Sequence, residues 1–166
     1  MIPFTITDTD IQRAELHLLT HGHPKVSHED NLMGALGEIA VYDWINQWSP
    51  CYFSDKGCNY DILLGDARTV EVKTQRTSVI PRLNYKVNVP LYQWMSKIEV
   101  SLWIFVRVHQ SMEHGWIVAT CDESKRDRFT FHAEGDVMDN EHRYRQDTMD
   151  CPISELDDPM RLIIHA

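Results

Sequence analysis

The chain has 166 residues, the length of one ordinary domain and enough to bury a sizeable core. Hydrophobic residues make up 43% and charged ones 25%, a composition that excludes wholesale disorder, and no apolar run approaches the roughly 20 residues of a membrane helix. A net charge of −9 speaks against a uniformly basic nucleic-acid binder.

Taken in chain order, Thr9 and Gln12 have the spacing of a capping box, and Ile11, Ala14, Leu18 and Leu19 mark the apolar stripe of a first helix. His21-Gly22-His23-Pro24 ends it. A second start follows at Ser27 with Asp30 three residues on, and the apolar spacing of Leu32, Leu36, Ile39 and Ala40 predicts a helix to about Trp48, stopped by Pro50. A β-rich middle comes next, over 51–54, 59–64 and 68–74. Residues 82–89 alternate, with Leu83, Tyr85, Val87 and Val89 on one side and Arg82, Asn84, Lys86 and Asn88 on the other, the pattern of a strand or extended arm with a wet face. Pro90 opens a short helix through Leu91, Trp94, Met95 and Ile98. Residues 100–109 form a strongly apolar, central strand, and 116–120 its neighbour. After Cys121 the chain turns polar, with weak strands near 129–131 and a last element at 161–164. Trp94, Trp103 and Trp116 each lie within an apolar pattern and are expected in the core. No repeat or linker divides the chain. The sum is an α/β domain with a mixed central sheet flanked by helices.

The four cysteines, Cys51, Cys58, Cys121 and Cys151, are too sparse for a disulfide scaffold and include no C-x-x-C pair. Reduced thiols in a cytoplasmic, intracellular protein are expected, and Met1-Ile2-Pro3-Phe4-Thr5 does not have the form of a secretory signal. His21, His23 and His28, followed by Cys51 and Cys58, do not match the spacing of a structural zinc site.

Charge is unevenly spread. Residues 72–98 hold five basic side chains (Lys73, Arg76, Arg82, Lys86, Lys97) and no acidic one, whereas over 120–158 acids outnumber bases by twelve to five. One face can attract phosphates while the C-terminal part repels them.

The most informative stretch is 60–74. It reads as two short strands joined by a Gly65-Asp66 turn, with Asp61 on the first and Glu71 and Lys73 on the second. Alternation sends Val70 and Val72 to one face and Glu71 and Lys73 to the other. Two carboxylates and an ammonium beside a sheet edge suit a hard divalent cation and an activated water. The bland alternative is a surface ion pair, worth about 0–1 kcal/mol. Glu123-Ser124-Lys125 repeats the Glu-x-Lys spacing, but in a charged stretch with no apolar strand around it, and is expected to be a solvated turn or helix face.

Asp61, Glu71-Val72-Lys73 and the upstream Gly37-Glu38 resemble the signature of the PD-(D/E)XK nuclease superfamily. The resemblance covers about 31–110; Tyr60 stands where many members have proline. It implies a restriction endonuclease-like αβββαβ core within a single domain spanning 1–166, with the core at about 31–120 and an acidic, polar extension at about 121–166. It implies a Mg²⁺-dependent deoxyribonuclease, with Mn²⁺ as a substitute, in which Asp61, Glu71 and the Val72 backbone carbonyl hold the metal. Lys73 would position water, and Glu38 would support the site from the helix. Gln75, Arg76, Arg82 and Lys86 are the candidate contacts to double-stranded or branched DNA. Cutting both strands needs two sites, so a homodimer is expected. Two other functions compete: a non-catalytic protein-interaction module on the same fold, using its acidic C-terminal region, and metal-assisted hydrolysis of RNA or nucleotides.

Overall fold

A computed structural model describes residues 1–21, 26–55, 58–97, 99–138 and 143–164. The elements in order are β1 (Ile2–Thr5), α1 (Asp8–His21), α2 (His28–Ile45), β2 (Cys51–Phe53), β3 (Ile62–Leu64), β4 (Thr69–Thr77), β5 (Lys86–Pro90), α3 (Leu91–Ser96), β6 (Leu102–His109), β7 (His114–Asp122), β8 (Thr130–His132), β9 (Thr148–Pro152) and α4 (Met160–Ile164). A short 3₁₀ helix, Glu123–Arg128, carries the second Glu-x-Lys and has no buried residue, as expected of a solvated turn.

Both helix starts follow from side-chain chemistry. Ser27 accepts the Asp30 N–H at 3.1 Å and donates its hydroxyl to the Asp30 carboxylate at 2.7 Å, so α2 begins where its sequence says. The cap of α1 lies two residues before the expected one. The Thr7 N–H and hydroxyl donate to Asp10 at 2.9 and 2.6 Å, and the Asp10 N–H returns to Thr7 at 3.3 Å. This reciprocal pairing satisfies the backbone donors of Thr7 and Asp10, in place of those of Thr9 and Gln12.

Six strands form one mixed sheet in the order β1-β7-β6-β4-β3-β2. β4 and β6 run parallel, and the other neighbours pair antiparallel. β6 is central and buried, as its apolar run demands. One face, carrying Val70, Val72, Ile104 and Val106, packs on Leu36, Ile39 and Ala35 of α2. The opposite face presents Trp103 and Phe105 to Val87, Val89, Trp94, Cys151 and Ile153. Trp94 and Trp103 are buried, while Trp116 is partly buried against this second core.

Two expectations are corrected. The alternating stretch 82–89 is a strand only from Lys86; residues 83 and 84 form a turn closed by the Tyr85 N–H donating to the Arg82 carbonyl, which leaves Leu83 exposed. Arg82 and Lys86 therefore do not share a strand face. The polar region after Cys121, expected as an extension beyond the core, is built into the fold. It supplies β8 and β9, and β9 is the middle strand of a second sheet, β5-β9-β8, that covers the Trp103 face. The expected end of α3 at Ile98 lies outside the described residues, as does His23.

The Gly65-Asp66 turn joins β3 to β4 as anticipated, and its left-handed position falls on Ala67, with φ 69°. An L side chain there costs about 1–2 kcal/mol. Ala67→Gly is expected to raise the stability of the fold by about 0.5–1 kcal/mol in urea unfolding, after allowing for the greater freedom of glycine in the unfolded chain.

Candidate functional site

β3 and β4 pair with Ile62 opposite Val70 and Leu63 opposite Thr69. Asp61 lies just outside this paired stretch, at its Val70 end. The Asp61 N–H donates to the Val70 carbonyl at 2.9 Å, and its carboxylate accepts the Val72 N–H at 2.7 Å. A strand residue directs its N–H and carbonyl to the same side, so the Val72 carbonyl also faces the end of β3, beside Asp61.

Glu71 is 1% exposed and alternates with the buried Val70 and Val72, which puts its carboxylate on the Trp103 side of the sheet. A carboxylate so buried requires partners. Lys73 donates to one oxygen at 2.5 Å, and Lys97, from the end of α3, donates to the other. The Lys73 ammonium also lies 5.9 Å from the centre of the Trp103 ring. Lys97 was not anticipated as part of the site; only its place in the acid-free stretch hints at it.

Glu38 reaches the cluster from α2. Its position depends on Gly37, where a Cβ would come within 1.9 Å of the Thr74 hydroxyl oxygen and 3.0 Å of its Cβ. The helix thus lies directly against β4. Gly37→Ala is expected to cost about 1–3 kcal/mol in denaturant unfolding despite the better helix propensity of alanine, with Thr74→Gly in the same chain restoring part of it. Glu38 is held by His17 of α1, Nε2 to Oε2 at 2.8 Å, and the His17 ring stacks on His21 at 4.2 Å. His17 is a second residue that sequence reasoning missed, although its spacing four before His21 places both on one helix face.

The electrostatics join these groups. Burial pushes the Asp61 carboxyl up to about 7, and the charges of Glu38 and then Glu71 push it the same way; Lys73 and the Val72 N–H pull against them. Glu38, Glu71 and Lys73 therefore all act on Asp61.

The candidate DNA contacts are more scattered. Gln75 continues the Glu71 and Lys73 face of β4 and is half-buried. Arg76 bonds to Glu29 at 2.7 Å and lies 3.6 Å from Asp30, both at the start of α2. Arg82 is exposed in the loop before β5. Lys86 lies 3.5 Å from Asp150 of β9. Two of the four, Arg76 and Lys86, are engaged by carboxylates.

The donors around Asp61 are all oxygens, the chemistry Mg²⁺ and Mn²⁺ prefer. The crowding of carboxyl groups that raises Asp61 is what a divalent cation would relieve. Against this, both Glu71 oxygens are held by lysines. No group of three His, Cys, Asp or Glu side chains arranged to hold a metal occurs among the described residues. The residues fit a hard cation on condition that one ammonium leaves Glu71. No described helix is long and apolar enough to cross a membrane. Neither the models of known protein families nor the curated proteins contain a match to this chain.

Proposed function

We propose that the protein is a Mg²⁺-dependent nuclease of the PD-(D/E)XK type, acting on DNA, with α2, β2, β3, β4, α3 and β6 as its restriction endonuclease-like core. The observation that carries this proposal is that Asp61, just before β3, bonds to β4 at Val72 and feels the charges of Glu38 and Glu71, with Lys73 paired to Glu71. Asp61, one Glu71 oxygen and the Val72 carbonyl would hold the cation. When bound, the cation neutralises phosphate charge and acidifies a coordinated water. Lys73 orients the attacking water and stabilises charge on the phosphate oxygens through its ammonium. Glu38, fixed by His17, accepts a hydrogen bond from water in the site. Gln75 lies next along the strand, within reach of the phosphate backbone.

Incubation with linear, supercoiled and branched DNA in Mg²⁺ or Mn²⁺ tests the proposal. Cleavage lost in Asp61→Asn and Lys73→Ala is expected. No cleavage of any substrate, or cleavage that persists in both variants, overturns it; cleavage of RNA in preference to DNA reassigns the substrate. A homodimer is the expected assembly if both strands are cut.

One observation favours a non-catalytic module instead: the Lys73-Glu71-Lys97 cluster is complete as an internal ion network. Its proposed acidic docking surface is weaker support, because Asp150 is buried and Asp157 is engaged by Lys125 and Arg161. Absence of divalent-metal binding that depends on Asp61 and Glu71 would favour that module.

A further inference from the structure

A second polar cavity, of about 550 Å³, opens between β5, β9 and the far end of β6. It is lined in part by Asn84, Tyr85, Lys86, Asn88, Arg107 and Tyr144. Arg107 stands opposite Gln75 in the parallel register of β4 and β6. It follows Trp103 and Phe105 on the face covered by the second sheet. One guanidinium nitrogen, Nη2, donates to the Lys86 carbonyl at 2.5 Å. Among the described residues its buried Nε finds no acceptor and no carboxylate pairs with it. Burial depresses its pKa to about 10, so the charge is held at a cost. Among the described residues one carboxylate, Asp150, lines the cavity, and it is already engaged. It accepts the Tyr144 hydroxyl, lies 3.2 Å from His132 Nε2 and 3.5 Å from the Lys86 ammonium.

A planar fork of donors with an unmatched charge suits an oxyanion, which it can bind bidentately. The donors around it exceed what two carboxylate oxygens can accept: the Arg107 fork and the amides of Asn84 and Asn88 match the three terminal oxygens of a phosphate. The cavity has the volume of a small-molecule site and is larger than inorganic phosphate fills, and two tyrosine rings border the remaining space. We propose that this cavity binds the phosphate of a nucleotide-sized ligand through Arg107, at a place distinct from the Asp61 and Glu71 cluster.

Calorimetric titration in EDTA, with adenosine monophosphate, inorganic phosphate, adenosine and acetate as separate probes, tests this without reference to cleavage. Saturable binding is expected for the monophosphate, weaker binding for phosphate, and none for adenosine or acetate. Arg107→Gln should weaken the monophosphate by about twentyfold or more, and Asn84→Asp, an exposed change that leaves the core intact, by about fivefold. Asp61→Asn should leave the affinity unchanged, which separates failure here from failure of the nuclease proposal. A 5′-phosphorylated oligonucleotide binding more tightly than the free monophosphate assigns the site to a strand end; the reverse order assigns it to a free nucleotide. Adenosine or acetate binding as well as the phosphorylated probes, no binding at millimolar monophosphate, or an unchanged affinity in Asn84→Asp overturns the proposal.

Discussion

Asp61→Asn is expected to remove metal-dependent cleavage and at the same time to stabilise the metal-free protein above neutral pH. The sign follows from the raised Asp61 pKa. Between the ordinary carboxylate value of 3.8 and the folded value of about 7, the unfolded chain has released a proton that the folded chain retains. Stability contributed by this group is therefore full below about pH 4, declines as pH rises towards 7, and stays low above it. Asparagine keeps an oxygen for the Val72 N–H but carries no charge near Glu38 and Glu71. Melting in EDTA at pH 8 should find Asp61→Asn more stable than the parent by roughly 2–4 kcal/mol, with the difference vanishing near pH 4. Cleavage should fall at least about 100-fold, since even residues that only support metal ligands carry effects of 10–100-fold. An Asp61 variant that is inactive and also less stable at pH 8 would instead make Asp61 an ordinary structural carboxylate.

Lys97→Met is the second large effect. Lys97 and Lys73 together hold a carboxylate that is 1% exposed; removing Lys97 leaves the pair with Lys73 but takes a charged hydrogen bond from the second oxygen, at a cost of about 1.5–3 kcal/mol. Methionine retains the length of the side chain but frees one Glu71 oxygen. In EDTA the variant should therefore unfold at markedly lower denaturant. If that oxygen belongs to a metal site, Mn²⁺ affinity should rise about tenfold, as the ammonium no longer competes, and saturating Mn²⁺ should restore part of the lost stability. A purely internal ion network gives the loss of stability with no gain in metal affinity.

How much of this was legible in the chain depended on whether the deciding contact was local. Ser27 and Asp30 announce α2 because a cap is made within three residues. The β3-β4 hairpin, and with it the placing of Asp61 next to β4, follows from alternation and a short turn. β6 is legible as an unbroken apolar strand. β1 was not, because four residues containing Pro3 carry little signal; it is tolerated at the edge of the sheet, paired only with β7. β9 reads as polar because Asp150 is made acceptable inside by Tyr144, His132 and Lys86, partners that only the fold brings near. Lys97 on Glu71 and His17 on Glu38 are likewise tertiary contacts. The stretch 82–89 misled through its clean alternation, which a turn at residues 83 and 84 overrides.

The central claim is that the carboxylates at the end of β3 and within β4 share one cation. Crystals grown with saturating Mn²⁺, examined by anomalous scattering, test it most directly. The account predicts a peak contacting both Asp61 and Glu71, with one lysine withdrawn from the Glu71 carboxylate. A site without a peak, in which Lys73 and Lys97 still grip both oxygens of Glu71, would contradict it.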